Sequence, residues 1–140
     1  MQYRIAVNQL KAGDFSRLFS GAGWGDPPAE LCEISLKNSW ATFSVLDGEH
    51  TIAMARLIGD GGMAYFLKDF VVQPEYQRQG IGRELLTFIQ DYILSQMKEG
   101  WFTLLELTSA KGKAGFYRKM GFRENPNENS DAGFTKRLEK

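Results

Sequence analysis

The sequence predicts an α/β (α+β) domain, a mixed but mostly antiparallel sheet with helices packed against it. Three observations lead there. Residues 40–46 and 51–58 are apolar stretches joined by Asp47-Gly48, a dipeptide suited to a tight hairpin turn. A third stretch ends in Phe70-Val71-Val72, whose bulky and β-branched side chains suit a buried strand. Pro74 stops that strand because it has no amide hydrogen to give a sheet. A long amphipathic pattern over residues 81–97 then separates it from another apolar stretch at 102–108. A right-handed crossover through such a helix sets its two flanking strands parallel.

The elements follow in order. Residues 3–7 alternate and predict a first strand. Asp14 is placed to cap a short helix over 15–19, ended by Gly21-Ala22-Gly23. Trp24-Gly25-Asp26-Pro27-Pro28 is a rigid turn, with Pro28 at the first position of a second helix. That helix covers 29–37, with Leu31, Ile34 and Leu36 inward and Glu30, Glu33 and Lys37 outward. Asn38-Ser39 stops it, and the two hairpin strands come next. Gly59-Asp60-Gly61-Gly62 makes a turn into residues 63–72, the third member of an antiparallel meander.

In the central helix Ile81, Leu85, Leu86, Ile89, Tyr92, Ile93 and Met97 fall on one stripe, and Lys98-Glu99-Gly100 ends it. Beyond the 102–108 strand, a short helix over 113–120 is closed by Gly121. Phe122 and residues 133–138 are expected to form a closing hairpin around a 125–131 loop rich in Asn. There are no internal repeats, heptads or low-complexity tracts.

Composition bounds the function. The chain has 140 residues, 43% hydrophobic and 13% aromatic, enough for one domain over 1–140 with a real core. Its 17 basic and 17 acidic residues cancel, so bulk charge points to neither nucleic acid nor membrane as a partner. One His and one Cys make a Cys/His metal site a poor expectation. Cys32 has no internal disulfide partner, and the first residues carry no long apolar leader. These features together lead us to expect a cytoplasmic protein.

The chemistry centres on Gln77-Arg78-Gln79-Gly80-Ile81-Gly82-Arg83, directly between the Val-rich strand and the central helix. Gly80 and Gly82 leave backbone N–H groups bare at the positive end of a helix dipole, a seat for phosphate or pyrophosphate. Arg78 and Arg83 add charge of the right sign. A dinucleotide fingerprint would need glycine where Leu85 stands, and a P-loop would need Lys-Ser/Thr where Arg83-Glu84 stand. The pattern Gln/Arg-x-x-Gly-x-Gly/Ala instead resembles the acetyl-coenzyme A loop of the GNAT N-acetyltransferase superfamily. Lys113-Ala114-Gly115-Phe116-Tyr117-Arg118-Lys119-Met120-Gly121-Phe122 resembles that superfamily's second signature, at the expected distance. The likeness extends over essentially the whole chain and is to small single-domain bacterial-type members.

The resemblance implies a GNAT fold, with about six to seven strands, a splayed parallel pair and about four helices. It also implies transfer of acetyl from acetyl-CoA, with no metal, directly to a primary amine of a small molecule or a protein. A non-catalytic acyl-CoA sensor or regulatory subunit is the alternative. The backbone of Phe70, Val71 and Val72 would pair with the pantetheine arm, as in strand addition, and offer an N–H to the thioester carbonyl. Residues 77–83 would hold the pyrophosphate. Tyr117 would contact the thiol and return a proton to the leaving thiolate, since a phenol of pKa about 10 lies close to a thiol of about 8.5. On its residues alone, a Phe-Tyr pair in a short helix also suits core packing.

Asp69 is the favoured base for the amine, with Glu106 or an ordered water as alternatives; a carboxylate satisfied by its surroundings is the competing reading of Asp69. Many relatives carry glutamate where this chain has Lys68, and asparagine where it has Lys113. Lysine cannot accept the hydrogen bond that asparagine makes, but Lys111 and Lys113 could reach a phosphate or simply form a solvated turn. Trp24, Asp26, Glu30 and Glu33 are candidates for the acceptor wall, with Trp24 as a lid, although the acids also suit the wet face of a helix. His50 is expected to face solvent. The resemblance allows a homodimer.

Overall fold

The computed structural model describes residues 2–140. The order is β1 (Arg4–Val7), α1 (Ala12–Gly21), α2 (Ala29–Lys37), β2 (Ala41–Asp47), β3 (His50–Gly59), β4 (Ala64–Val72), a 3-10 turn (Pro74–Tyr76), α3 (Ile81–Gln96), β5 (Leu104–Leu107) and α4 (Ala114–Lys119). The chain divides into a large unit ending at Thr108 and a small one, Ser109–Lys140.

In the large unit, five strands make one sheet in the order β1-β2-β3-β4-β5. The first three pairings are antiparallel and β4 runs parallel to β5. The hairpin turn is where Asp47-Gly48 placed it, with Gly48 at φ 61°. The parallel pair follows from the α3 crossover, as expected.

Register sorts the side chains onto two faces. Phe43, Val45, Ala53, Ala55 and Leu57 share one face with Tyr65. Against it lies α3, whose Ile81, Leu85, Leu86, Ile89 and Ile93 are buried. Aromatic edges lock the two layers: Phe43 meets Phe88 and Tyr92, and Trp40 meets Tyr65 and Tyr92 at centroid distances of 4.7–6.2 Å. Each fully buried aliphatic side chain here stabilises by about 1.5–3 kcal/mol. On the opposite face, Met54 and Val71 pack with Leu10, Phe15, Leu18 and Cys32 from α1, α2 and the segment before them. Because both faces are covered, the middle of β3 is buried without alternation.

Gly59 is a requirement of this packing. A Cβ there would stand 2.6 Å from the Ala64 carbonyl oxygen and 2.6 Å from the Tyr65 ring.

Three expectations are corrected in the helices. Lys11, in extended conformation, precedes α1 as its N-cap. Asp14 lies in the first turn and accepts from the Thr51 hydroxyl at 3.0 Å. Pro28 is the N-cap of α2, not its first residue, and the buried side chain of that helix is Cys32. Leu31 and Ile34 are exposed; Leu36 alone of the expected trio turns toward the core.

The small unit carries α4, closed by Gly121 at φ 89°. The Phe122 amide donates to the Tyr117 carbonyl at 3.0 Å, and ion pairs join Arg118 to Glu124 and Arg123 to Glu128. The expected closing hairpin is absent: residues 131–140 have no regular structure, and only an isolated bridge joins Asn127 to Ser130. The sheet therefore has five strands among the described residues, not six to seven. Phe134 and Leu138 are 94% and 84% exposed, so the segment's apolar side chains gain no burial to hold a strand. Among the described residues, no helix is long and apolar enough to cross a membrane.

Candidate active site

The cofactor-loop candidates begin where β4 leaves its parallel neighbour. Pairing with β5 runs from Ala64 opposite Leu104 to Leu67 opposite Leu107. β4 then continues five residues further, to Val72, paired only with β3. A bulge marks the departure. Met54 faces Val71 and Arg56 faces Lys68, so Asp69 and Phe70 together oppose the single residue Ala55. Asp69 takes φ 55°, a left-handed conformation that a short acidic side chain tolerates better than most.

At the bulge Arg56 Nε donates to Asp69 Oδ2 at 2.5 Å, with the side chains only 15% and 8% exposed. The guanidinium also lies 5.9 Å from the centre of the Phe15 ring of α1. Asp69, expected as a base, thus has one carboxylate oxygen committed to a guanidinium. The sequence did carry a signal for this partner. Arg56 interrupts the apolar run Ile52-Ala53-Met54-Ala55, and a charge inside a covered sheet must be paired.

Beyond Val72 the chain is braced on several sides. The Gln73 amide donates to the Ile52 carbonyl at 2.8 Å. The Gln73 side-chain oxygen accepts from Arg17 at 3.0 Å and contacts His50 Nε2 at 3.1 Å. Arg17 also donates to the Thr51 carbonyl at 2.7 Å. Gln77 Nε2 donates back to the Val72 carbonyl at 2.8 Å. Tyr76 donates its hydroxyl to Asp47 at 3.0 Å, and that bond is the main reason its pKa is raised above the usual 10. Tyr3 meets the Tyr76 ring edge-on at 5.8 Å. Arg17, Gln73 and Tyr76 were not singled out from the sequence, because these partners lie far away along the chain, 23 residues for His50 and Gln73 and 56 for Arg17 and Gln73.

The loop then opens. Arg78 takes φ 63° and Gly80 φ 84°, and Gly80 caps α3 with no side chain. Nothing lies within 4 Å of where a Gly80 Cβ would stand. The first-turn amides of Ile81, Gly82 and Arg83 have no acceptor within the helix. Gln77, Arg78, Gln79, Gly80 and Arg83 are exposed, Gly82 is half-buried, and the Ile81 side chain is buried, leaving only its amide to serve. Phe70, Val71 and Val72 are half-buried. A strand edge, open amides, a bare glycine and two arginines suit a ligand that combines a peptide-like arm with phosphates.

The other candidates are scattered. Glu106 is exposed on β5 at the register of Phe66, and Lys68 Nζ lies 6.0 Å from the Phe66 ring centre. His50 is exposed, as expected, but engages Gln73. Trp24 packs edge-on against Phe19 at 5.4 Å and is 37% exposed. Asp26 accepts from Ser20 at 3.3 Å, and Glu30 and Glu33 are exposed on α2. In the small unit, Lys113 is the exposed N-cap of α4. Tyr117 is half-buried between the rings of Phe116 and Phe122, at 5.1 and 5.8 Å, and burial raises its hydroxyl pKa above 10.

Residues 39–124 match the model of the acetyltransferase (GNAT) domain. A 1.7 Å structure of a probable acetyltransferase from meticillin-resistant Staphylococcus aureus superposes with a TM-score of 0.81 at 26% identity, covering 96% of this chain and 99% of that one. A GNAT-family acetyltransferase from Streptococcus pneumoniae gives 0.75 at 30% identity, covering 98% and 99%. The uncharacterized N-acetyltransferase ycf52 of Pyropia yezoensis is 24% identical over 128 residues, 89% of this chain and 71% of that protein. A match that spans both signature stretches, carried on the same architecture end to end, makes this chain a member of the GNAT acetyltransferase family and an acyltransferase.

Proposed function

We propose that this acyltransferase moves an acetyl group from acetyl-CoA directly to a primary amine. One observation carries the reading: β4 parts from β5 at Leu67 and runs on into the open amino end of α3. The residues fit the donor. Phe70, Val71 and Val72 would pair with the pantetheine arm along the departed edge. The amides of residues 80–83, with Arg78 and Arg83, would hold the pyrophosphate, and the bare Gly80 lets it approach the backbone. Lys111 and Lys113 would add charge for the remaining phosphate.

The donor supplies an activated acetyl thioester, and the chain's own groups do the rest. An N–H of the Val71-Val72 backbone polarises the carbonyl being attacked. Tyr117, a phenol that is protonated at neutral pH, delivers its proton to the sulfur. With Asp69 Oδ2 already held by Arg56, amine deprotonation falls to Glu106 or to water. The acceptor is a small-molecule or protein amine.

The test is calorimetric titration with acetyl-CoA and with ATP, alongside thiol release over a panel of primary amines. Acetyl-CoA should bind, ATP should not compete with it, and thiol should appear only when a suitable amine is present. Binding of ATP that acetyl-CoA cannot displace, or no acetyl-CoA binding at all, would sink the reading. Tight binding with no amine-dependent thiol from any member of the panel would turn it toward an acyl-CoA sensor.

A further inference from the structure

We infer that Arg56 and Asp69 form a positioning clamp that fixes the bulge in β4, and so aims the backbone of residues 70–72 at the acyl donor. This rests on the reading that those residues address acetyl-CoA.

Three independent features of the large unit meet at this pair. First, the bulge inserts an extra residue into β4 opposite Ala55, and Asp69 there adopts φ 55°. A non-glycine residue at that angle is disfavoured unless its surroundings hold it. Second, the holding contact is a charge-assisted hydrogen bond of 2.5 Å between nearly buried side chains. Arg56 lies on β3 and its backbone pairs with Lys68, the residue just before Asp69, so the bond bridges the bulge. Third, the pairing of β4 with β5 ends at Leu67, two residues before Asp69. The clamp therefore sits at the point where β4 turns away from its parallel neighbour.

Strand alternation explains why this pairing decides direction. Arg56 and Met54 lie on the α1 face, as does Lys68. Regular alternation would send the Asp69 side chain to the other face, toward α3. The extra residue instead lets Asp69 reach Arg56, and Val71 returns to the α1 face with Met54. Without the bond nothing offsets the strain of Asp69 at φ 55°, and that strain drives the strand back to regular pairing, which turns every donor of residues 70–72 by one position. Phe15 of α1, stacked against Arg56, ties the same point to the helical layer above it. Arg56 touches no reacting atom; it acts through Asp69 and the backbone.

A double-variant cycle tests the clamp, with glycine as the rescue. Glycine takes φ 55° without strain, so Asp69→Gly keeps the bulge without the carboxylate. Arg56→Met should lower kcat on the order of 100-fold, with little change in KM for acetyl-CoA, because a small misplacement of a polarising group is that costly. Arg56→Met combined with Asp69→Gly should recover most of that loss, to within roughly threefold of the parent. A double variant that folds with the parent's melting temperature yet stays as slow as Arg56→Met would overturn the clamp and return Asp69 to direct chemistry. So would a parental kcat in Arg56→Met.

Amide hydrogen exchange at residues 69–72 reads the clamp without activity. It should quicken in Arg56→Met and slow again in the double variant, and equal rates in all three refute the proposal. If the parent neither binds acetyl-CoA nor releases thiol, it is the acetyl-CoA reading that has failed. The exchange data then decide the clamp separately.

Discussion

Tyr117 shows how one residue's environment sets what it can do. Its ring lies between Phe116 and Phe122, and the loss of water around the hydroxyl disfavours the phenolate. The raised pKa keeps the group protonated at any physiological pH, which an acid for a thiolate requires. The linkage has a definite sign. A tyrosine whose folded pKa exceeds its unfolded value of about 10 contributes its full stability below that value. It loses that contribution as pH climbs through the folded pKa. At pH 7 the phenol is neutral in both the folded and the unfolded state, so Tyr117→Phe should leave melting temperature there nearly unchanged while lowering kcat on the order of 100-fold. Acetyl-CoA affinity should hold. Stopped-flow thiol release with the variant decides it: a parental rate removes Tyr117 as the acid and leaves only its packing role. Asp69 teaches the converse lesson at the same scale, since its neighbour Lys68 pointed to a departure from the family pattern, but its partner lies 13 residues back on another strand.

At the scale of elements, two glycines with different reasons to be glycine separate folding from binding. Gly59 ends β3 beneath Tyr65, and an added methyl would meet backbone oxygen at 2.6 Å. Gly59→Ala should cost about 1–3 kcal/mol of stability through displaced packing, with ligand affinity intact in the folded fraction. Gly80 has open space around it but a φ of 84°, so Gly80→Ala costs about 1 kcal/mol from backbone conformation alone. That cost falls on the start of α3, so acetyl-CoA should bind several-fold more weakly. Thermal melts and titrations on the two variants should show opposite patterns, and identical ones would mean that the loop is not the phosphate seat.

The contrast also marks what sequence could and could not convey. The Asp47-Gly48 turn, the α3 stripe and the β4-loop-α3 unit were legible because each is encoded by neighbours in the chain. The inward set on α2 was misjudged because Leu31 and Ile34 satisfy the helical period yet face solvent, leaving Cys32 to meet the core. The closing hairpin failed for a similar reason, since Phe134 and Leu138 hold a strand only if something buries them, and both are exposed. Arg56 inside an apolar run signals that it has a partner, but the choice of Asp69 depends on a one-residue register shift between strands, which no local pattern records.

For the whole molecule, the division at Thr108 has consequences for how it opens. The large unit contains the five-stranded sheet, both buried faces and every buried core residue. The small unit has α4, no fully buried side chain, and ion pairs that lie in the open. Exposed pairs of this kind, screened by water and salt, contribute little to stability. Opening free energy follows buried apolar contact, so residues 109–140 should exchange amide hydrogens far faster than β2, β3 and α3. Residues 131–140, which have neither regular structure nor burial, should be the first cut by protease. Limited trypsin treatment should cleave first at Lys136 or Arg137, then near Arg123, while the Arg56 and Arg83 bonds survive. Mass spectrometry of the time course reads the order directly, and early loss of the Arg56 bond would contradict the assignment of stability to the large unit. Saturating acetyl-CoA adds a further check, because a ligand that binds only the folded state protects whatever holds it. If Tyr117 and Lys113 serve the bound donor, cleavage between residues 111 and 123 should slow in its presence while cleavage at Lys136 does not. Uniform rates with and without the ligand would separate the small unit from the binding event.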